Sequence, residues 1–167
     1  CRQRRLGQGA ALLLLASSLC AQTLERAESL WRAGDYEGAH DAFRALVAAH
    51  PKNPDYRVRW GRLFLERFQP TDAAKLFEEA LELRKDHTGA LMGLAVAASE
   101  DFDQKAVEYA NRALAVDPGL AEAHGLLARL ALEDGNPSKA AEHARRAGDS
   151  EEGRAVLAAI DWLAGRQ

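Results

Sequence analysis

Residues 54–87 read PDYRVRWGRLFLERFQPTDAAKLFEEALELRKDH, and this stretch decides the fold. Pro54 and Pro70 each open a segment of helical periodicity, since the first turn of a helix has no use for the missing N–H. In the first segment Trp60, Gly61 and Phe64 share one side. In the second, Ala73, Leu76, Phe77, Ala80 and Leu81 do so. The stretch therefore predicts two helices joined by a short turn. Helices shorter than about 12–15 residues are marginal alone in water, so this pair must be buried against neighbours.

Neighbours of the same kind lie on both sides. Phe43 and Phe77 are 34 residues apart, as are Ala39 and Ala73, Ala106 and Ala140, and Ala113 and Ala147. Ala80 and Ala113 are 33 apart. Turn signals keep the same frame. Gly34-Asp35-Tyr36, Asp101-Phe102-Asp103 and Gly135-Asn136-Pro137 break the middle of a unit. Asn53-Pro54, Asp117-Pro118-Gly119 and Asp149-Ser150 break the ends, where Asn or Asp is suited to cap the next helix. The pattern predicts helices near 23–33, 36–49, 54–67, 70–84, 87–99, 103–116, 120–133, 137–147 and 150–165. Small residues recur where helices must come close: Ala39, Ala73, Ala106 and Ala140 at one point, Gly61 and Gly93 at another.

These spacings and residues resemble the tetratricopeptide repeat, whose pattern has a large apolar residue and Gly in its first helix, then a turn, Ala, an aromatic, Ala and a closing Pro. Residues 54–87 match best, through Trp60, Gly61, Phe64, Ala73, Phe77 and Ala80. Residues 20–53 match in their second half, through Gly34, Tyr36, Ala39, Phe43 and Pro51, while Arg26 departs from the apolar pattern. Residues 86–118 match through Gly93, Phe102, Ala106, Ala113 and Pro118 but are one residue short. Residues 119–149 continue the series through Leu127, Gly135, Ala140 and Ala147, with Ala144 in place of the aromatic. The resemblance implies an all-α solenoid of about four helix pairs. Residues 150–167 break the frame, and Val156, Leu157, Ile160 and Leu163 make them a capping helix for the open end. Asp149 and Glu152 have the spacing of a capping box at its start.

Residues 1–21 do not share the repeat. Arg2, Arg4 and Arg5, an apolar run over Ala10–Ala16 and the small residues Ser17, Ser18, Cys20 and Ala21 have the order of a secretory signal peptide. The run is far shorter than the roughly 20 residues a membrane-spanning helix needs. The chain is therefore expected to be exported to a periplasm or secreted. Because it opens on Cys1 rather than Met, it is also expected to be a trimmed or incomplete reading frame. Loss of the leader would remove both cysteines and move the net charge from −3 to −6. With 47% hydrophobic and 28% charged residues the chain is globular, and without a basic excess it is not expected to bind nucleic acid.

No phosphate loop, nucleophile elbow or paired-histidine zinc motif occurs, so no enzyme, cofactor or metal is expected. His40, His50, His87, His124 and His143 contain no pair at helical ligand spacing, although His124 and His143 could meet across one helix pair. They are expected to be surface or groove residues. Trp60, Phe64, Phe77 and Phe43 are expected in the core.

In proteins that resemble this one, the first helix of each unit lines a concave groove that receives a peptide or protein partner. The positions carried over are Leu24, Glu28, Trp31 and Arg32 in the first unit and Val58, Arg62, Leu65 and Glu66 in the second. Leu94 follows in the third, with Arg129, Leu132 and Glu133 in the fourth. They imply an apolar strip of Leu24, Trp31, Val58, Leu65 and Leu94 edged by charge, with Arg62 and Arg129 to attract a carboxylate. A subclass holds chaperone tails with Lys and Asn at positions occupied here by Leu24, Glu28, Val58 and Arg62, so that clamp is missing. The expected function is an exported interaction module or scaffold. The alternative is a self-associating, homo-oligomeric solenoid subunit of an envelope complex.

Overall fold

Short polar side chains and prolines set the helix starts. Asn53 accepts a hydrogen bond from the Asp55 N–H with Pro54 in the first turn, and Asn136 accepts from Lys139 with Pro137 in the same place. Asp35 accepts from Gly38. The computed structural model describes residues 24–100 and 104–165. Among them nine helices follow in order: α1 (24–32), α2 (Tyr36–Ala49), α3 (Pro54–Glu66), α4 (Pro70–Leu83), α5 (Thr88–Glu100), α6 (Lys105–Val116), α7 (Ala121–Glu133), α8 (Pro137–Arg146) and α9 (Glu151–Ala164). No strand occurs among the described residues. The leader, both cysteines and the Asp101-Phe102-Asp103 turn lie outside them.

Two expected caps differ. Ser150, not Asp149, caps α9 by accepting from the Gly153 N–H, and the Glu152 carboxylate accepts from Arg129 instead of closing a capping box. Asp117 accepts from Gly119 inside its own loop, and α7 begins after Leu120 without a side-chain cap.

Each helix packs on its chain neighbours, and first helices of successive units also meet, α3 on α5 and α5 on α7. The core is accordingly a row of small clusters rather than one centre. Ala27, Ala39, Phe43, Leu46, Tyr56 and Leu63 form the first. Val58, Ala73, Phe77, Ala80, Ala90 and Leu94 form the next. Leu91, Ala110, Ala113, Leu126 and Leu127 belong to the third, and Ala128, Ala131, Ala140, Ala144 and Val156 close the row. Such a stack is stabilised by nearest-neighbour interfaces.

The key piece of the stack is Phe77. Its ring is fully buried. A Cβ added at Gly61 would lie 2.6 Å from that ring, and one at Gly93 only 2.3 Å. The two glycines, on α3 and α5, thus let two first helices close over one phenyl ring of α4. Ala39, Ala73, Ala106 and Ala140 are likewise buried, at 0–1% exposure. At the far end Ala144 replaces the aromatic, and the gap is filled differently. A Cβ at Gly153 would meet the Ala144 carbonyl at 2.9 Å, so α9 rides directly on the α8 backbone. It packs on both α7 and α8, as the first helix of a further unit would. No helix among the described residues is long and apolar enough to cross a membrane.

Candidate functional site

Helical spacing puts Glu28, Trp31 and Arg32 on one side of α1, and Arg59, Arg62 and Glu66 on one side of α3. Glu28, Trp31, Arg32, Arg59 and Glu66, with Tyr36 from the start of α2, line an open pocket of about 450 Å³. The Trp31 ring is half-buried and stands edge-on to Phe43 at 6.1 Å. Its indole N–H donates to the Glu66 carboxylate at 2.6 Å. Arg59 forms an ion pair with Glu28. Both carboxylates of the pocket are therefore engaged from within. Arg32 is exposed and makes no hydrogen bond or ion pair among the described residues.

Arg62 reaches over α5 to Glu122 on α7 at 3.8 Å. Packed helices lie about 8–10 Å apart, so side chains two helices away meet only if that face is concave. The face carrying Arg62 is thus the inner one, as the repeat frame implies.

Two residues of the expected apolar strip are not on that surface. Val58 is 6% exposed and Leu94 4%. Val58 is packed against α5 where Gly89 offers no side chain, a Cβ there lying 3.2 Å from the valine. Leu94 joins the same cluster and borders a separate cleft of about 340 Å³ between α4, α5 and α6. The accessible apolar surface is reduced to the half-buried Leu24, Trp31 and Leu65.

Arg129 is also placed differently. Its guanidinium donates to Glu152 at 2.9 Å, to Glu133 at 3.1 Å and to Ser99 at 3.2 Å. Partial burial acts to lower its pKa, but the two carboxylates more than offset that and hold it above the ordinary value. The residue ties α5, α7 and α9 together and is not available to a ligand carboxylate, while Leu132 packs against the last cluster. In the sequence Tyr36 reads only as a turn residue of the repeat, and Arg59 is not marked at all. Arg59 lies on the side of α3 that carries Arg62 and Glu66, a signal available in the spacing. The Glu28 pairing, 31 residues away, is not a local signal.

Trp60 and Phe64 are half-buried beside His40, whose Nδ1 accepts from the Trp60 indole at 3.2 Å. His124 is not a surface residue, being 2% exposed. Its Nε2 faces the Pro118 carbonyl at 3.1 Å and its Nδ1 faces Nδ1 of His143 at 3.1 Å. Burial, followed by the neighbouring His124, pushes the His143 pKa down. No group of three or more metal-ligating side chains occurs among the described residues.

Comparison with known proteins agrees with this fold. Among solved structures, a thermophilic TPR protein of Thermus thermophilus superposes with a TM-score of 0.74 at 20% identity, over 88% of this chain and 84% of that one. MamA of Desulfovibrio magneticus RS-1 gives 0.66 at 22% identity, over 78% of each chain. The first TPR domain of Spaghetti (RPAP3), solved with an HSP90 peptide, gives 0.64 at 19% identity, over 70% of this chain and 93% of that one. At these identities the likeness is one of fold. Comparison with curated proteins finds no match. Two family models described as tetratricopeptide repeat match the sequence, one over residues 21–63 and the other over 58–101 and 99–152. The chain belongs to the tetratricopeptide repeat family.

Proposed function

We propose that this protein is an exported interaction module that holds a peptide or protein segment against the inner face of its first two units. The observation that carries this is the open pocket in which Trp31 is half-exposed beside an uncommitted Arg32. Trp31 offers a rigid aromatic surface, the kind of side chain that dominates binding energy at interfaces. Arg32, with Arg62 loosely held at 3.8 Å from Glu122, supplies positive charge to a ligand carboxylate. Glu28 is paired with Arg59, while Glu66 is hydrogen-bonded to the neutral Trp31 indole and keeps its charge. The peptide held by the structurally similar RPAP3 domain supports a peptide as the ligand class. Without Lys and Asn at the clamp positions, a different tail is expected here. Export rests on the leader over residues 1–21.

The binding claim is tested by screening a displayed peptide library against the full chain and measuring the best binder by fluorescence polarisation. Arg32→Glu with Arg62→Glu, both at exposed positions, is expected to weaken it at least tenfold, about 1.4 kcal/mol. Undiminished affinity in that variant would sink the pocket as the site. Export is checked separately by sequencing the N-terminus of the protein recovered from the cell exterior or periplasm. A start near Ala21 or Gln22 is expected, and an intact Arg-rich leader there overturns it.

A further inference from the structure

The capping helix α9 has two unlike faces. Gly153, Val156, Leu157 and Ile160 turn inward onto α7 and α8. On the opposite side Arg154, Ala155, Ala158, Asp161 and Trp162 follow at three- and four-residue spacing, and all are exposed. Trp162 is 57% exposed and the adjoining Leu163 47%, two of the few large apolar side chains exposed among the described residues. The inner face of α9 covers the α7–α8 pair, and its outer face still carries apolar surface.

The charges on that outer face say what covers it. Arg154 and Asp161 are seven residues apart, about 10 Å along the axis. Neither side chain forms an ion pair or hydrogen bond among the described residues. Between them stand Ala155 and Ala158, too small to hold a second helix away. An identical helix laid antiparallel, with the two-fold axis at residues 157–158, sets Arg154 against Asp161 of the second copy. By symmetry it also sets Asp161 against Arg154. The charge pattern is self-complementary in the manner an isologous interface requires. A parallel copy would oppose Arg to Arg and Asp to Asp. In the antiparallel register each Trp162 comes down near Ala155 of the other molecule.

We infer that a second copy of this chain docks on α9, giving a two-fold dimer joined through the capping helices. The surface is distinct from the pocket of α1 and α3, which stays open in the dimer. Three turns of helix cover less than the standard interface of about 1,600 Å², so the association is weak and reversible, in the micromolar range.

Sedimentation equilibrium of the full chain, from low to several hundred micromolar, is expected to show a monomer–dimer equilibrium. Arg154→Asp places carboxylate against carboxylate and should weaken dimerisation at least tenfold. Asp161→Arg places guanidinium against guanidinium and should do the same. The double exchange should restore it. So should mixing the two single variants, since both carboxylates of one molecule then meet both guanidinium groups of the other. Circular dichroism checks that each variant keeps its helix content. Arg32→Glu should leave the dimer unchanged, which separates this surface from the peptide pocket. A wild-type chain that stays monomeric overturns the inference. So does a dimer indifferent to the single reversals, or a double exchange that fails to restore it.

Discussion

Phe68 breaks a local rule. It occupies the left-handed region at φ 54°, in the turn between α3 and α4. The corresponding turns place Gly34 at 78° and Gly135 at 73°. Only glycine adopts that conformation without cost, and the penalty for other residues is roughly 1–2 kcal/mol. The ring gains nothing in return from packing, being 88% exposed. Phe68→Gly is therefore expected to stabilise the fold by about 1 kcal/mol, read from the urea midpoint. An unchanged or lowered midpoint would show that the ring has a packing role. Gly93 is the opposite case. Gly93→Ala drives a methyl to 2.3 Å from the buried Phe77 ring. It should cost about 1–3 kcal/mol, and pairing it with Phe77→Leu should recover part of that. Additive losses in the double variant would deny that the two residues share one space. Both positions are readable in the repeat frame, but the strain is not. Sequence marks where a turn glycine belongs, whereas φ shows that phenylalanine has taken its conformation.

At the scale of helix pairs, the His124–His143 contact joins α7 to α8. A carbonyl only accepts, so Nε2 of His124 carries a proton and donates it to Pro118. Nδ1 of His124 then accepts from Nδ1 of His143. A further proton can enter at Nε2 of His143 without breaking this bond. Burial and His124 lower the His143 pKa, Lys139 and Arg146 add to that, and Glu142 opposes it. Because the folded value lies below the unfolded value of about 6.5, the unfolded chain binds more protons in that interval. Stability is then full above the unfolded value and declines as pH falls from it toward the folded value. Urea midpoints should fall between about pH 7.5 and about pH 5.5, and His143→Gln should flatten that dependence. An identical pH slope in the variant would assign the effect elsewhere. Chain spacing showed only that the two rings could meet. The carbonyl that selects the tautomer comes from a loop whose path is tertiary.

At the scale of the whole molecule, Arg129 links helices that are not neighbours in the chain. It bonds side chains on α5, α7 and α9 at once. Arg129→Met keeps much of the bulk and removes the bridges, so α9 should open more often. Faster amide hydrogen exchange is expected over Val156–Ile160, with little change in α3 and α4, because a stack couples mainly to its neighbours. Uniform acceleration along the chain would instead mean global destabilisation. The helices, their period and the small residues at Gly61 and Gly93 were all legible in the chain, because they rest on local periodicity and on residue size at fixed spacing. So was the side of α3 that carries Arg62 and Glu66. Which inward residues remain available was settled only by packing. Val58 and Leu94 are covered because α5 approaches closely over glycines, and Arg129 is consumed by a carboxylate 23 residues away. Arg32 stays uncommitted because no described carboxylate reaches it. Such pairings depend on the curvature of the stack, a sum of small displacements between helices that no single repeat encodes.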